Sequence, residues 1–78
     1  MNVEIITPDT TLFKGEAILV QLPGAEGSFE VLQHHAPLIA ILQQGRIKLQ
    51  HPEKNLSFFD IKGGVVEVHD DKVLILAE

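Results

Sequence analysis

The sequence predicts an all-β fold, a single-domain sandwich of two antiparallel sheets with about ten short strands. Three observations carry this. Turn signals recur every six to twelve residues along most of the chain. Polar–apolar alternation appears in Ser28–Leu32 and Arg46–Gln50, marking strands with one wet and one dry face. No regular alternation of helical and extended patterns interrupts them.

Val3–Thr7 is rich in β-branched residues and stops at Pro8-Asp9; a short piece around Leu12-Phe13-Lys14 ends at Gly15. Ala17–Leu22 is nearly all apolar and stops at Pro23-Gly24, and Ser28–Leu32 follows the Gly24–Gly27 turn. There the two glycines imply a hairpin whose backbone needs positive φ. Pro37–Gly45 fits two readings. Leu38, Ile41 and Leu42 share a helical face, with proline near the first turn and Gly45 past the end. Its isoleucines and its shortness favour a strand.

His51–Asn55 is a turn-rich connection after Arg46–Gln50. In Leu56–Lys62 the apolar phase slips between Phe58 and Phe59, implying a bulge or a strand buried on both faces. Gly63-Gly64 implies a bend or close backbone approach before Val65–His69, and Asp70-Asp71 turns the chain into Lys72–Ala77. The inward set of such a sandwich is Ile5, Val20, Leu22, Phe29, Val31, Ile47, Leu49, Val66 and Val68. A core of this size supplies only about 3–5 kcal/mol, so partner binding would add to it.

The 78 residues suffice for one domain, without linker or internal repeat. Val, Ile and Leu number 25 and apolar residues make up 45%, which argues against disorder. Without cysteine there is no disulfide, thiolate metal site or thiol nucleophile. The net charge of −5, six scattered cations and no Trp or Tyr argue against nucleic acid, which needs a concentrated basic face and stacking aromatics. No apolar run is long enough to span a bilayer, and an acid stands where a signal peptide carries basic residues. The chain is expected to be soluble, reaching a membrane only through a partner.

Candidate chemistry is sparse. His34 and His35 are adjacent, so on a strand they point to opposite faces and chelate poorly; zinc sites space histidines differently. Polar loop histidines are the default, and a small metal-binding barrel using all four histidines stays open as the rival, as does a generic β interaction module. The two serines, Ser28 and Ser57, lie outside any nucleophile elbow, and Asp70-Asp71 reads as a solvated turn. Pro23-Gly24-Ala25-Glu26-Gly27 lacks the lysine and following helix of a phosphate loop. No catalytic residue, metal ligand or cofactor is assigned.

From Pro23 to Leu38 the pattern becomes specific: a Gly-x-x-Gly hairpin, a short strand, then His35-Ala-Pro-Leu38. With Ile6-Thr-Pro8, Phe13-Lys-Gly15, Gly45 before an alternating strand, Gly63–Val68 and Val73–Ala77, it resembles the N-terminal β-sandwich domain of the rotary ATP synthase epsilon subunit. The resemblance implies two stacked five-stranded sheets with a strand at Leu38–Leu42. It further implies a non-catalytic central-stalk subunit at the cytoplasmic face of the membrane, bound to the gamma subunit and the c-ring. Family members usually continue into two C-terminal helices that can inhibit hydrolysis and in some cases bind ATP. If the chain ends naturally at Glu78, neither property is expected, and no nucleotide is expected to bind.

Two further departures bear on partner contact. Gln33-His34 replaces the family's Pro-Gly, so a non-glycine must accept an unusual φ or the loop must change shape. Ser28 stands at a position usually acidic, leaving Glu26 or Glu30 to supply that charge. By the resemblance, the interface residues are Thr7, Glu26, Ser28, Gln33, His34 and His35, with the Glu26–Ser28 tip toward the c-ring and the histidine loop near the junction of gamma and c-ring. Gly24, Gly27, Pro37, Gly63 and Gly64 are assigned structural roles.

Overall fold

The computed structural model describes all 78 residues, Met1–Glu78. It contains nine strands and no helix: β1 Asn2–Ile6, β2 Thr11–Glu16, β3 Leu19–Gly24, β4 Gly27–Leu32, β5 Leu38–Leu42, β6 Gly45–Gln50, β7 Leu56–Ile61, β8 Gly64–His69 and β9 Lys72–Ala77. The count is thus nine, close to the expected ten. Hydrogen bonding orders one path β2-β1-β9-β8-β5-β3-β6-β7, with β4 on the other edge of β3. Between β5 and β3 the ladder is a single pair, Gly24 with Leu42. That narrow link divides the path into layers of five and four strands. All pairings are antiparallel except β1 with β9.

Alternation explains the core, because every second side chain of each strand points between the layers. Sixteen buried apolar residues form one cluster, including Val3, Ile5, Val66, Val73 and Ile75 from one layer and Val20, Leu22, Val31, Ile47 and Leu49 from the other. Eight of the nine expected core residues are in this cluster; Phe29 packs against it half-buried. Phe13 on β2 reaches Phe59 on β7, with ring centroids 5.9 Å apart. This contact closes the sandwich between the two end strands of the path.

Leu38–Leu42 is a strand, paired residue by residue with β8. A helix there would leave β8 without that neighbour. The expected bulge or double burial in β7 does not occur. β7 pairs with β6 in unbroken register from Gln50–Leu56 to Gly45–Ile61, and Phe58 is half exposed while Phe59 points inward. The apolar phase slips because Phe58 occupies an outward position, under the guanidinium of Arg46 at 5.5 Å.

Of the four glycines assigned structural roles, Gly27, Gly63 and Gly64 have φ of +132, +153 and +150°, whereas Gly24 does not adopt positive φ. A side chain at Gly24 would instead strike the Gly27 carbonyl and the Phe29 ring. Pro37 ends the loop immediately before β5.

Candidate functional site

The outer face of the five-stranded layer is the most apolar exposed surface. It follows from the sequence by elementary geometry. Leu38–Leu42 and Val73–Ala77 are unbroken apolar runs, and a strand can turn only alternate residues inward. Leu42, Val73, Ile75 and Ala77 enter the core, so Ile39, Ile41 and Leu76 must face outward. Ile39 is 73% exposed and Ile41 68%, with Leu76 and Val65 beside them.

Register sets these residues in two rows across the sheet. Ile41 lies opposite Val65, Val65 opposite Leu76, and Leu76 opposite Ile6. The adjacent row runs Ile39, Glu67, Leu74, Glu4, placing a carboxylate on either side of Leu74. Ile39, Val65, Glu67, Leu74 and Leu76 together line one shallow depression. An exposed contiguous apolar surface with a charged border is the signature of a protein-docking face.

The six expected interface residues do not converge. β4 carries the chain from the Gly27 hairpin to Leu32, about 17 Å at the usual strand rise. Thr7, Glu26 and Ser28 therefore belong to one end of the sandwich, and Gln33, His34 and His35 to the other. At the first end the Ala25 amide donates to the Ile41 carbonyl (2.8 Å), so the exposed Glu26 tip abuts the apolar face. Thr7 pins the β1–β2 turn: its Oγ1 donates to the Thr10 carbonyl and accepts from the Thr10 amide, both at 3.1 Å. Ser28 Oγ accepts from Gln21 Nε2 at 3.3 Å.

At the other end, His34 adopts φ +62°, so the non-glycine residue has accepted the unusual conformation. Its backbone amide donates to Asp71 Oδ1 at 2.8 Å, a link across 37 residues. The His34 imidazole is 85% exposed and lies 3.9 Å from the same carboxylate, while His35 Nδ1 contacts the Ala36 carbonyl at 2.7 Å. The Met1 ammonium stands 3.7 Å from Asp71 Oδ2 and 3.2 Å from Glu16. Asp70 and Asp71 themselves have φ of +51 and +58°, the left-handed pair that a two-residue hairpin turn requires. The expected turn is therefore present, with Asp70 exposed in it, but Asp71 is only partly exposed and its carboxylate is bonded.

The other two histidines lie elsewhere. His51 Nε2 contacts Ser57 Oγ at 2.7 Å and its ring meets Phe13 edge-on; His69 lies beside Asp70. No three His, Asp or Glu side chains come together as a metal-binding group.

The bond from the His34 amide holds the Asp71 carboxyl below its usual 3.8. Partial loss of hydration acts in the opposite sense, and the Met1 ammonium and the His34 imidazole reinforce the lowering. A folded pKa below the unfolded one means the charge-dependent part of the link contributes fully above pH 3.8 and is lost as pH falls through the folded value. The His34 amide proton, followed by NMR in the free chain, should therefore shift upfield with a midpoint below 3.8. A midpoint at or above that value would break the assignment of this bond.

Comparison with known proteins gives one consistent result. Residues 1–78 match the family described as ATP synthase, Delta/Epsilon chain, beta-sandwich domain. The ATP synthase epsilon chain of Sulfurimonas denitrificans is 42% identical over the whole chain, which spans 60% of that relative's length. The epsilon chain of Chlorobium limicola is 38% identical over 77 residues, covering 88% of it. A chain in the OSCP/F1/c-ring structure of Euglena gracilis mitochondrial ATP synthase superposes with a TM-score of 0.90 at 22% identity, over 96% of this chain and 48% of that one. A chain of the central stalk/c-ring structure of Tetrahymena thermophila mitochondrial ATP synthase does so at 0.84 and 23%, over 97% and 61%.

Proposed function

The chain belongs to the ATP synthase delta/epsilon β-sandwich family, and from that membership we propose that it is a non-catalytic rotor subunit of the central stalk. In this role it joins the gamma subunit to the membrane c-ring and helps proton-driven rotation reach the catalytic head. It meets the membrane only through its partners, on the cytoplasmic side.

The observation that carries the reading is the apolar outer face of the five-stranded layer. Ile39, Ile41, Val65 and Leu76 remain exposed although the core beneath them is complete. Gamma is the partner assigned to this face. The carboxylates of Glu4 and Glu67 favour an apolar stripe flanked by Lys or Arg on the facing subunit. The Glu26–Ser28 tip, with Thr7 at the same end, is assigned to the c-ring. Gln33, His34 and His35 mark the opposite rim of the gamma contact.

Copurification from native membranes tests the reading. The full chain, tagged and expressed in its source, should bring down gamma, the c subunits and the catalytic subunits; their absence would refute it. Glu26→Lys with Glu30→Lys then tests the electrostatic part. Both side chains are exposed on the hairpin and its strand, so the folding transition should stay within about 1 kcal/mol of wild type. Yield of the c subunits should fall severalfold, and wild-type yield would reject a role for these charges.

A further inference from the structure

We propose that Asp71 is the residue that positions the Gln33–His35 loop for partner binding, acting from the β8–β9 turn rather than from the loop itself. The proposal rests on the stalk reading given above, because it treats that loop as part of an interface.

Local sequence alone does not hold the loop in place. Gln33, His34, His35, Ala36 and Pro37 are all exposed, and no side chain of the loop enters the core. Within the loop, the one turn bond runs from the His35 amide to the Leu32 carbonyl at 3.2 Å, near the long limit of such contacts. His34 meanwhile sits at φ +62°, a conformation costly for a residue with a Cβ. Left to itself, such a segment would sample extended backbone, which swings both imidazoles away from their present directions.

The compensating contact comes from far along the chain. Asp71 Oδ1 accepts the His34 amide at 2.8 Å, and an ionised acceptor makes this a stronger bond than the neutral turn bond beside it. The carboxylate is itself fixed. The left-handed Asp70-Asp71 turn aims it, and the Asn2 amide donates to the Asp71 carbonyl at 3.0 Å. The charged groups around it are the Met1 ammonium, the His34 imidazole, Glu16 and the neighbouring Asp70. Asp71 thus joins the rigid β1–β9–β8 ladder to a loop that would otherwise be free.

Three forms of the full chain separate the possibilities. Asp71→Gly removes the acceptor while tolerating the left-handed turn; Asp71→Asn keeps a carbonyl acceptor and also tolerates it. Amide exchange by NMR reads the loop in the free chain. Affinity for the rotor complex of gamma and c-ring from the same source reads binding. Expected for Asp71→Gly is loss of protection at His34, with core amides such as Val20 and Ile75 unchanged, and affinity at least tenfold weaker. Asp71→Asn should restore both to within about threefold of wild type, which a role in overall stability would not predict.

Unchanged His34 protection in Asp71→Gly would overturn the proposal, as would lost protection with unaltered affinity. If Asp71→Gly does not fold, the decision passes to Asp71→Asn and to wild type. Loss of protection in folded Asp71→Asn, or a wild-type His34 amide that ignores acid titration, overturns it as well. A wild-type chain that never binds the rotor complex would instead sink the stalk reading, and that result is seen before any variant is compared.

Discussion

Ile41→Lys should detach the chain from the rotor while leaving its folding transition almost unmoved. Ile41 ends the apolar row on β5, opposite Val65, and is 68% exposed in the free chain. Charging a large exposed apolar anchor of an interface costs on the order of 2 kcal/mol, about 30-fold in affinity. A lysine there adds a second penalty, because the face bordered by Glu4 and Glu67 is matched to a partner of opposite sign, and the new cation would meet like charge. Stability should change by no more than about 1 kcal/mol, since the side chain buries little on folding. Phe58→Lys is the control. Phe58 is also exposed, by 51%, but it stands on the outer face of the other layer. Surface plasmon resonance against the gamma and c-ring complex should show the first variant failing and the second binding like wild type. Equal loss in both would mean that general surface hydrophobicity, and not this face, drives attachment.

The same residues show how far the sequence could be read. Alternation placed Val31, Ile47 and Leu49 in the core, because each lies on a strand whose period-two pattern can be read without its neighbours. Leu38–Leu42 was ambiguous between helix and strand for a physical reason. A strand whose outer face docks a partner is apolar on both sides, which erases the alternation that would identify it. That erased alternation is itself the sequence signal for the exposed apolar face. Val73–Ala77 carries the same mark, and register shows that the two runs flank β8 on one surface. Phe58 misled in a similar way, since an outward aromatic mimics a phase slip.

Contacts between distant positions were not legible at all. His34 could be seen to need either positive φ or a reshaped loop, but nothing local said what would stabilise it. The answer lies 37 residues later, in an Asp-Asp turn whose composition also fits a plain solvated hairpin. Five of the six residues expected at the interface fall within Glu26–His35 in sequence, yet β4 sets Glu26 and Ser28 at the opposite end from Gln33, His34 and His35.

Glycine 64 gives the largest expected effect on stability, and a paired comparison isolates its cause. Gly27 and Gly64 both adopt positive φ, +132 and +150°, so alanine at either position pays the strain of a conformation that L residues rarely adopt. That term is about 1–3 kcal/mol. At Gly27 nothing lies within 4 Å of an added Cβ, and strain is the whole cost. At Gly64 the Cβ would overlap the Leu76 carbonyl oxygen and press on the Ala77 Cα at 3.0 Å. Both are backbone atoms of β9, which cannot rotate aside as a side chain could. Relief requires β8 and β9 to part where Gly64 pairs with Ala77. The strand that gives way also carries Ile75 and Ala77 into the core and supports Leu76 on the docking face. Gly64→Ala should therefore cost more than Gly27→Ala by a further 1–2 kcal/mol or so, the usual range for forced overpacking. In a domain with a core of about 3–5 kcal/mol, the sum brings the free chain close to its unfolding midpoint at room temperature. Urea titration followed by circular dichroism compares the two. Equal midpoints would show that the β8–β9 approach yields without cost, whereas a Gly64→Ala chain that folds only with the gamma and c-ring complex present would show partner binding supplying what the small core lacks.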